Sequence, residues 1–182
     1  MTYTAVSTKA TGDTISATDW NTYIKDNAAD FDARLQAVTF KGAKWTRTTT
    51  QSIPDSASTA AQFATAETYD EGGWGLTASN TTITVPSTAF PTGYTTIVVR
   101  VIASVEWANN ATGRRILDVY KNGVVQQPLQ ITAGSNISLG MINVSEFEVV
   151  VGDTITTSLY QDTGGALNIN KGVLTVSRAG FY

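Results

Sequence analysis

GRRILDVYKNGVVQQPL, residues 113–129, is the stretch that decides the fold, because it predicts a β-hairpin within one short segment. Asn122 and Gly123 stand between two apolar runs, and an Asn-Gly pair in that setting favours a type I′ turn. The two strands that flank the turn are therefore predicted to be antiparallel neighbours.

Strand patterns continue upstream of the hairpin. TTIVVRVIASVEW, residues 95–107, is apolar on both faces, which predicts a central strand covered on each side, with its second face against another sheet or another subunit. TTITVP, residues 81–86, predicts a short strand with Ile83 and Val85 on one face. AKWTRTTTQSI, residues 43–53, alternates with period two and is predicted to end in a turn.

Downstream of the hairpin, residues 141–182 repeat the same pattern. Strands are predicted around Phe147 to Val151, Ile155 to Tyr160 and Val173 to Arg178. Short strands at intervals of about 8 to 12 residues, each bounded by turn residues, indicate an antiparallel sandwich or jelly roll. The predicted fold class is therefore mainly β.

The composition excludes several classes of function. The chain has 182 residues, 42% hydrophobic and 15% charged, which is enough for one domain of about 140 residues and an attached segment. The net charge is −3 and the twelve Lys and Arg residues are scattered, so nucleic acid is not an expected partner. The sequence shows no apolar run of about 18 residues and no signal peptide. We therefore expect a soluble chain made in a cytoplasm, without membrane insertion.

The sequence has no cysteine and no histidine, which removes the usual metal ligands, thiolate nucleophiles and general bases. Asp55, Asp153 and Asp162 are isolated and lack the spacing of a calcium loop. We therefore expect no catalytic residue, no metal and no cofactor, and a protein that is not an enzyme. A glycoside hydrolase whose active site consists of two carboxylates is kept as an alternative class of function.

ISATDWNTYIKDNAADFDARLQAV, residues 15–38, predicts the one long helix. Ser16 is placed to cap it, and its apolar positions recur at intervals of three and four residues, close to a heptad seam. The seam is too short to form a stable coiled coil alone, so it needs a partner, either its own domain or the helices of other copies. The predicted members of this seam, which the resemblance described below makes a trimer seam, are Ile24, Ala28, Phe31, Leu35 and Val38.

These patterns divide the chain into an extended arm at 1–14, the helix at 15–38, a linker at 39–43 and the β domain at 44–182. Trp20 and Tyr23, near the start of the helix, are candidates for docking on another protein, since aromatic residues are enriched in interaction hot spots. The alternative is that both pack against partner helices.

Three short segments carry a resemblance to a known family: QSIP at Gln51 to Pro54, NATGRR at Asn110 to Arg115 leading into VYKNG, and GDTI at Gly152 to Ile155. With these segments, residues 44–182 resemble the C-terminal domain of small bacteriophage virion proteins, a jelly roll like tumour necrosis factor or the globular head of complement component one-q. The resemblance implies a homotrimer, with jelly rolls packed around a threefold axis and the N-terminal helices gathered beneath them. Its markers are structural and not catalytic.

A second resemblance lies at GDTISATDWNTYIKDN, Gly12 to Asn27. It is similar to the attachment segment of phage tail and fibre proteins, in which a Thr/Ser-Ala-x-Asp-Trp-Asn pattern opens the first helix; the match is at Ser16 to Asn21. The resemblance implies a virion protein exposed on the particle surface, with other virion proteins bound through the N-terminal arm. The chain is shorter than most tail fibres and has no long shaft, so head and tail mounting sites both stay open.

Loop residues supply the candidate binding sites for a host-surface glycan. Trp74 lies in the glycine-rich segment DEGGWGL, where an exposed indole would stack on a sugar ring while Asp70 or Glu71 accepts hydroxyl hydrogen bonds. The alternative is that Trp74 plugs the edge of the sandwich. A second candidate loop holds Trp107, Asn109 and Asn110, with a structural turn as the alternative.

Arg114 and Arg115 complete the candidate set, since guanidinium groups bind carboxylates and phosphates bidentately. The alternative is structural pairing with an acidic residue of a neighbouring strand or subunit. Glu106 and Asp118 are the predicted partners.

The sequence therefore predicts a non-enzymatic, trimeric virion structural protein, a short fibre or tail-associated protein. Its N-terminus would anchor it, and its jelly-roll head would bind a host-surface glycan or protein. The alternative is a capsid decoration or head-fibre protein that stabilises the particle and has no specific receptor.

Overall fold

The structure is a computed structural model that describes residues 16–63, 66–77, 81–133 and 138–181. The chain divides between Thr39 and Phe40 into two compact units. The first contains helix α1, Ala17–Val38, where the N–H of Trp20 donates to the carbonyl of Ser16. At its C-terminal end, the N–H and the hydroxyl of Thr39 both donate to the carbonyl of Leu35, which satisfies a carbonyl that the helix leaves unpaired. This helix is not apolar enough to span a bilayer.

The second unit is a two-layer β-sandwich in which every described strand pair is antiparallel. The strands of the described residues are β1 (Gly42–Arg47), β2 (Gln51–Ile53), β3 (Thr59–Ala60), β4 (Ala66–Glu71), β5 (Leu76–Thr77), β6 (Thr82–Thr84), β7 (Ile97–Trp107), β8 (Arg114–Lys121), β9 (Val124–Gln127), β10 (Gln130–Thr132), β11 (Leu139–Val149), β12 (Thr154–Gln161) and β13 (Leu167–Phe181). A short 3-10 turn at Ser87–Ala89 precedes β7.

The strand order mixes distant parts of the sequence in each layer. The six-stranded sheet runs β11-β7-β13-β1-β4, with β2 also paired to β13. The seven-stranded sheet runs β10-β8-β12-β6-β5, with β3 on β12 and β9 on β8. Consecutive strands therefore often lie in different layers, and many of the contacts join residues far apart in the sequence.

Alternating residues of both sheets fill the space between the layers. In β7, Ile97, Val99 and Val101 begin an inward row that continues to Trp107, while the intervening residues point outward. One polar side chain of the interior has its amide donors satisfied by backbone carbonyls. Asn143 of β11 donates to the carbonyls of Leu117 and Gln127 in the opposite sheet, at 2.8 Å each, and thereby links the two layers. The largest fully buried side chains of the core are Trp45, Trp74, Trp107 and Phe63.

The predicted fold class, a mainly β antiparallel sandwich preceded by one helix, is confirmed. The hairpin is also confirmed, since β8 and β9 pair antiparallel and the turn residues Asn122 and Gly123 have φ of 49° and 78°, as a type I′ turn requires. The predicted strand at 43–53 is instead two strands, β1 and β2, which pair with different parts of β13.

The strand predicted at Phe147 to Val151 is wrong at both ends, because β11 begins at Leu139 and ends at Val149. The inward positions Asn143 and Ser145 are polar, which hides the alternation that marks a strand. β1 begins at Gly42, inside the segment predicted to be a linker. The division into arm, helix, linker and head stays a prediction, and the arm at 1–14 lies outside the described residues.

Candidate functional site

The outward face of the six-stranded sheet is the first candidate site. Facing residues of antiparallel strands point to the same side of a sheet, so the strand register defines rows across this face. One such row crosses five strands and consists of Val144, Ile102, Thr175, Lys44 and Tyr69. A parallel row contains Ile142, Ser104, Val173 and Thr46. Together they form a surface of mostly apolar and hydroxyl side chains, with Lys44 as the charged member of the first row.

Both edges of this face expose apolar residues. At the β11 edge, Ile142 and Val144 are 64% and 52% exposed. At the β4 edge, Tyr69 is 37% exposed and packs edge-on against Phe40, itself 53% exposed, with ring centroids 5.9 Å apart. Exposed apolar residues that form a contiguous patch mark interaction sites more often than isolated ones do.

Two ion pairs flank the apolar rows. Arg100 of β7 pairs with Glu146 directly across the strand boundary on β11, and Lys171 of β13 lies 3.8 Å from Glu106 of β7. Gly140 pairs with Glu106 and has no side chain to cover its neighbours, and a hollow of about 500 Å³ opens there beside Ile142 and Lys171. Because these charged groups are substantially exposed, the pairs contribute little to the stability of a single chain.

The predicted seam of α1 is exposed in the single chain. Ile24, Phe31 and Leu35 are 50%, 68% and 54% exposed, and Ala28 is exposed as well. The side chain of Val38 lies outside the described ones. Trp20 is half exposed and its ring centroid lies 6.2 Å from that of Tyr23, so the two predicted docking residues form one aromatic pair. Their docking role stays a prediction.

The residues predicted to bind a glycan fall into two groups at opposite ends of the sandwich. Strand β13 runs from one group to the other. Its Ile169 pairs with Trp107 at one end, and its Ser177, eight residues further on, pairs with Gly42 at the other end. At the usual rise of a strand these points are roughly 26 Å apart. Glu71 pairs with Gly42, which puts the Trp74 loop at the end where the chain enters the sandwich.

The Trp74 loop is held by its own side chains. The carboxylate of Asp70 accepts the backbone N–H groups of Trp74 and Gly75 at 2.9 and 3.1 Å, and the Thr88 hydroxyl donates to the carbonyl of Gly72. Trp74 is fully buried, as the structural alternative given for it requires, so its ring has no face free for a sugar. Glu71 is exposed. Asp70 is used as a loop cap, which leaves its carboxylate poorly placed for a ligand hydroxyl.

The second group surrounds the loop between β7 and β8. Trp107 is fully buried, and its indole N–H points to the sulfur of Met141 at 3.2 Å. Asn110 accepts the N–H of Thr112, which makes an Asx turn. Asn109 is exposed and accepts from the hydroxyl of Ser138. The loop therefore has the hydrogen bonds of a structural turn, as its alternative predicts.

The partners predicted for the two arginines are wrong. Arg114 pairs with Asp162 at 2.7 Å and lies 5.7 Å from the centre of the Tyr160 ring. Arg115 is buried and donates to the carbonyls of Asn110, Thr112 and Gly113. Glu106 instead lies near Lys171, and Asp118 accepts the N–H of Leu129. The turn brings Asp162 to the start of β8, a proximity that the sequence does not show.

The electrostatics of this loop follow from these contacts. The backbone N–H and then the guanidinium of Arg114 hold the pKa of Asp162 below its usual value. Burial lowers the pKa of Arg115, while the nearby Asp162 acts in the opposite direction. Arg114 and Asp162 are thus paired within the chain, whereas the buried Nε of Arg115 has no hydrogen-bond partner. The predicted glycan-binding role of these arginines stays a prediction.

Sequence reasoning missed four residues of the outward face: Ile142, Val144, Phe40 and Tyr69. Ile142 and Val144 alternate with the polar residues Asn143 and Ser145. This period-two pattern would have identified a strand, here with its apolar residues outward and its polar residues inward. Phe40 and Tyr69 gave no signal, because only the pairing of β4 with β1 brings them together. Among the described residues, no group of acidic side chains is arranged to hold a metal ion.

Comparison with solved structures gives the same architecture. The chain is similar to the globular domain of zebrafish complement 1qA protein, with a TM-score of 0.53 and 11% identity over 75% of this chain and 94% of that one. It is similar to murine APRIL at pH 8.0, with a TM-score of 0.54 and 14% identity over 77% and 99%. It is also similar to PRD1 vertex protein P5, with a TM-score of 0.52 and 19% identity over 76% and 95%.

Compared by sequence, the chain matches no family model and no curated protein. At 11% to 19% identity, the structural likeness shows the fold. The β unit is therefore a jelly roll of the tumour necrosis factor and complement one-q type. One of the structures that share this fold is PRD1 vertex protein P5.

Proposed function

We propose that this chain is a non-enzymatic structural protein of a bacteriophage virion, a trimeric short fibre or tail-associated protein anchored by its N-terminus. The observation that carries the proposal is the pair of unpartnered apolar surfaces, one on each compact unit. The stripe of α1 and the outward face of the six-stranded sheet both expose large apolar side chains that a single chain leaves in water. Assembly of copies would cover both.

The fold neighbours and the N-terminal pattern support the virion location. PRD1 vertex protein P5 shares the jelly-roll fold, and Ser16 to Asn21 carries the pattern that resembles phage attachment segments. A trimer follows from the resemblance of the jelly roll to its family. Three tethered helices raise one another's effective concentration, which helps a seam that is too short to associate alone.

The jelly-roll head would present the end of the sandwich far from Phe40 to a host-surface glycan or protein. Asn109 is exposed at that end, together with the loop that contains Gly164 and Gly165. The alternative is a capsid decoration or head-fibre protein without a receptor. It is favoured by Arg114 and Arg115, whose hydrogen bonds are made within the chain.

The first test is the mass of the full chain in solution. Sedimentation equilibrium should give three times the chain mass of 19.3 kDa. A single-chain mass at micromolar concentration would remove the basis of the proposal, because both apolar surfaces would then stay in water.

The second test separates the fibre from the decoration protein. Immunogold labelling of particles from the strain that encodes the chain should place it on the virion. Labelled full-length protein is then added to host cells, with unlabelled protein as competitor. Saturable, competed binding supports a receptor-binding head, whereas virion labelling without cell binding supports a decoration protein. An absence from purified particles would contradict both.

A further inference from the structure

The turn between β8 and β9 holds the one Asn-Gly pair of the sequence, Asn122 and Gly123. Asparagine is a chemically labile residue, and a glycine after it favours reaction because it has no side chain to hinder the approach of its backbone nitrogen. Both residues are exposed, and an added Cβ at Gly123 would meet no atom within 4 Å. Space and solvent are therefore available for a reaction between the two residues.

The reaction open to such a pair is deamidation. The backbone nitrogen of Gly123 attacks the side-chain carbon Cγ of Asn122, and the new N–Cγ bond closes a succinimide ring. The Cγ–Nδ2 bond breaks, and the amide group leaves as ammonia with the proton that the attacking nitrogen loses. Water then opens the ring at either of its carbonyls and gives an aspartate or an isoaspartate. Water is the co-reactant, and no oxidant or reductant is needed.

In the folded chain, both ends of the Asn122 carboxamide are held by hydrogen bonds. Its Nδ2 donates to Oδ1 of Asp153 at 2.8 Å, and its Oδ1 accepts from the N–H of Thr154 at 2.8 Å and from the Thr154 hydroxyl at 3.2 Å. The side chain thus reaches across to the turn between β11 and β12. These bonds must open before the carboxamide can rotate toward Gly123.

The backbone adds a second constraint. Asn122 has φ of 49°, the left-handed conformation of a type I′ turn, and its N–H donates to the carbonyl of Thr154 at 2.9 Å. Closure of the succinimide ring requires the backbone to leave this conformation. The Thr154 donors also polarise the Asn122 carbonyl, which by itself favours attack, but they act only while the side chain is bound to the neighbouring turn. Deamidation therefore requires local opening of the hairpin.

The product of the reaction cannot restore the same contacts. An aspartate in place of Asn122 has a carboxylate oxygen where the amide donor was, so two carboxylates meet at the position of a 2.8 Å hydrogen bond to Asp153. Lys121, 3.1 Å from Asp153, can balance one of them. An isoaspartate lengthens the main chain and disrupts the turn itself. Modification therefore penalises closure of the turn.

We propose that Asn122 is a deamidation site that the folded chain keeps blocked, with the Asp153 carboxylate and the N–H and hydroxyl of Thr154 as the blocking groups. The site reacts when the hairpin opens locally, and the product then keeps it from closing as before. Deamidation at Asn122 accumulates with the time that this turn has spent open. The inference goes beyond the proposed virion role and does not depend on it.

The rate of deamidation at Asn122 is the first test. The full chain and a synthetic peptide of residues 118–127 are incubated together at neutral pH. After pepsin digestion in acid, which suppresses further reaction, mass spectrometry quantifies the fragment that contains Asn122. We expect the peptide to react and the folded chain to react about a hundredfold more slowly, because three hydrogen bonds must open first.

The full chain in urea is the control for sequence context, and it should react at the rate of the peptide. A folded chain that reacts as fast as the peptide would show that the fold blocks nothing. A peptide that does not react would show that Asn122 is not a deamidation site. Either result would overturn the proposal.

Two variants identify the blocking groups. Asp153→Ala removes the acceptor of the Nδ2 bond and should speed deamidation about tenfold, whereas Thr154→Ala removes only the longer hydroxyl bond and should speed it about threefold. The control Thr156→Ala removes another hydroxyl of β12, at a position that pairs with Tyr120, and should leave the rate unchanged. Circular dichroism verifies that each variant is folded.

The outcome is decided by the folded variants. If Asp153→Ala does not fold, the comparison of Thr154→Ala with Thr156→Ala decides by itself. Rates equal to that of Thr156→Ala in the folded variants would mean that the contacts of Asn122 are not the block, and the proposal would be wrong.

A charge variant tests the effect of the product. Asn122→Asp installs the aspartate product directly, and Asn168→Asp adds the same charge at an exposed position of β13. We expect the melting temperature to fall by several degrees in Asn122→Asp and to change little in Asn168→Asp, because only the first places a carboxylate against Asp153. Equal melting temperatures would contradict the claim that the product keeps the turn from closing.

Discussion

At the scale of single residues, Asp153 shows how the turns of the sandwich are held. It is buried at the turn between β11 and β12, and its carboxylate accepts from the Asn122 amide at 2.8 Å and the Val150 N–H at 2.9 Å, with the Lys121 ammonium at 3.1 Å. Burial alone would raise the pKa of Asp153, but these hydrogen bonds and Lys121 outweigh it, so the pKa lies below its usual value.

The sign of this shift fixes a pH dependence. Because the folded pKa is lower than the unfolded value of about 3.9, the carboxylate stabilises the fold fully above that value and loses its contribution as the pH falls through the folded pKa. We expect Asp153→Asn to lower the free energy of unfolding by about 1 to 3 kcal/mol at pH 7. Urea denaturation at several pH values should show this deficit shrinking in acid; a deficit that stays constant would contradict the assigned role.

Asp118 is a second partly buried carboxylate, and its pKa is shifted in the direction opposite to that of Asp153. Burial raises the pKa of Asp118, and the Leu129 N–H and Tyr120 offset this only in part. The charged form therefore costs stability above the folded pKa, and this cost disappears below the unfolded value. We expect Asp118→Asn to leave stability at pH 7 unchanged or to raise it by up to about 1 kcal/mol, measured in the same urea series. A loss as large as that of Asp153→Asn would show that the carboxylate is needed.

At the scale of elements, alanine substitutions at two glycines distinguish the cost of backbone strain from the cost of a steric collision. Gly113 precedes β8 with φ of 72°, and Gly123 lies in the hairpin with φ of 78°, so alanine is strained at both. At Gly123 an added Cβ would meet no atom within 4 Å, whereas at Gly113 it would collide with the backbone of Asp162. The hairpin site thus serves as the control for the other.

We expect Gly123→Ala to cost about 1 kcal/mol, the cost of a positive φ. Gly113→Ala should cost clearly more, because β8 must move away from the segment that carries Asp162 and the pair between Arg114 and Asp162 must break. Thermal denaturation of the two variants measures the difference. Equal melting temperatures would mean that the loop adjusts without cost.

The elements also show how far sequence reasoning reaches. The turn at Asn122-Gly123 was predicted correctly, because the residues of a type I′ turn themselves favour its backbone conformation. The 3.6-residue period of α1 is equally local, and the helix ends at the predicted Val38. β11 was partly missed because Asn143 points inward, where its hydrogen bonds to Leu117 and Gln127 come from strands far along the chain.

The candidate site depends on the same kind of long-range contact. Trp74 and Trp107 lie in loops that look accessible in the sequence, but the sandwich buries both, as the structural alternatives stated for them require. Arg114 meets Asp162, 48 residues away, and not the acidic residues near it in the sequence. Pairings of this range depend on which strands become neighbours, and single-sequence periodicity does not encode that order.

At the scale of the whole molecule, the two compact units share one property. Each has an apolar surface that its own residues do not cover, on the stripe of α1 and on the outward face of the six-stranded sheet. A linked chain couples the two surfaces, since association through one raises the local concentration of the other. The buried core of the jelly roll is built from residues of the β unit, so we expect it to fold without the helix seam.

Because the core of the jelly roll is separate from the stripe of α1, we expect different outcomes for two helix variants that add the same charge. Leu35→Asp places a carboxylate in the exposed stripe, where Leu35 is 54% exposed in the single chain and would be covered in a bundle. Ala29→Asp places it on the opposite face of α1, where Ala29 is exposed and would remain so.

We expect Leu35→Asp to loosen the helices, because it removes apolar burial of about 1.5 to 3 kcal/mol for each fully covered leucine and adds a charge to the seam. The helix segment should become sensitive to protease, and the assembly should dissociate at higher concentration in sedimentation velocity runs. The melting of the β unit should not change in either variant, and Ala29→Asp should behave like the natural chain. If both variants dissociate alike, or neither does, the stripe of α1 does not bundle, and only the sheet face remains to hold copies together.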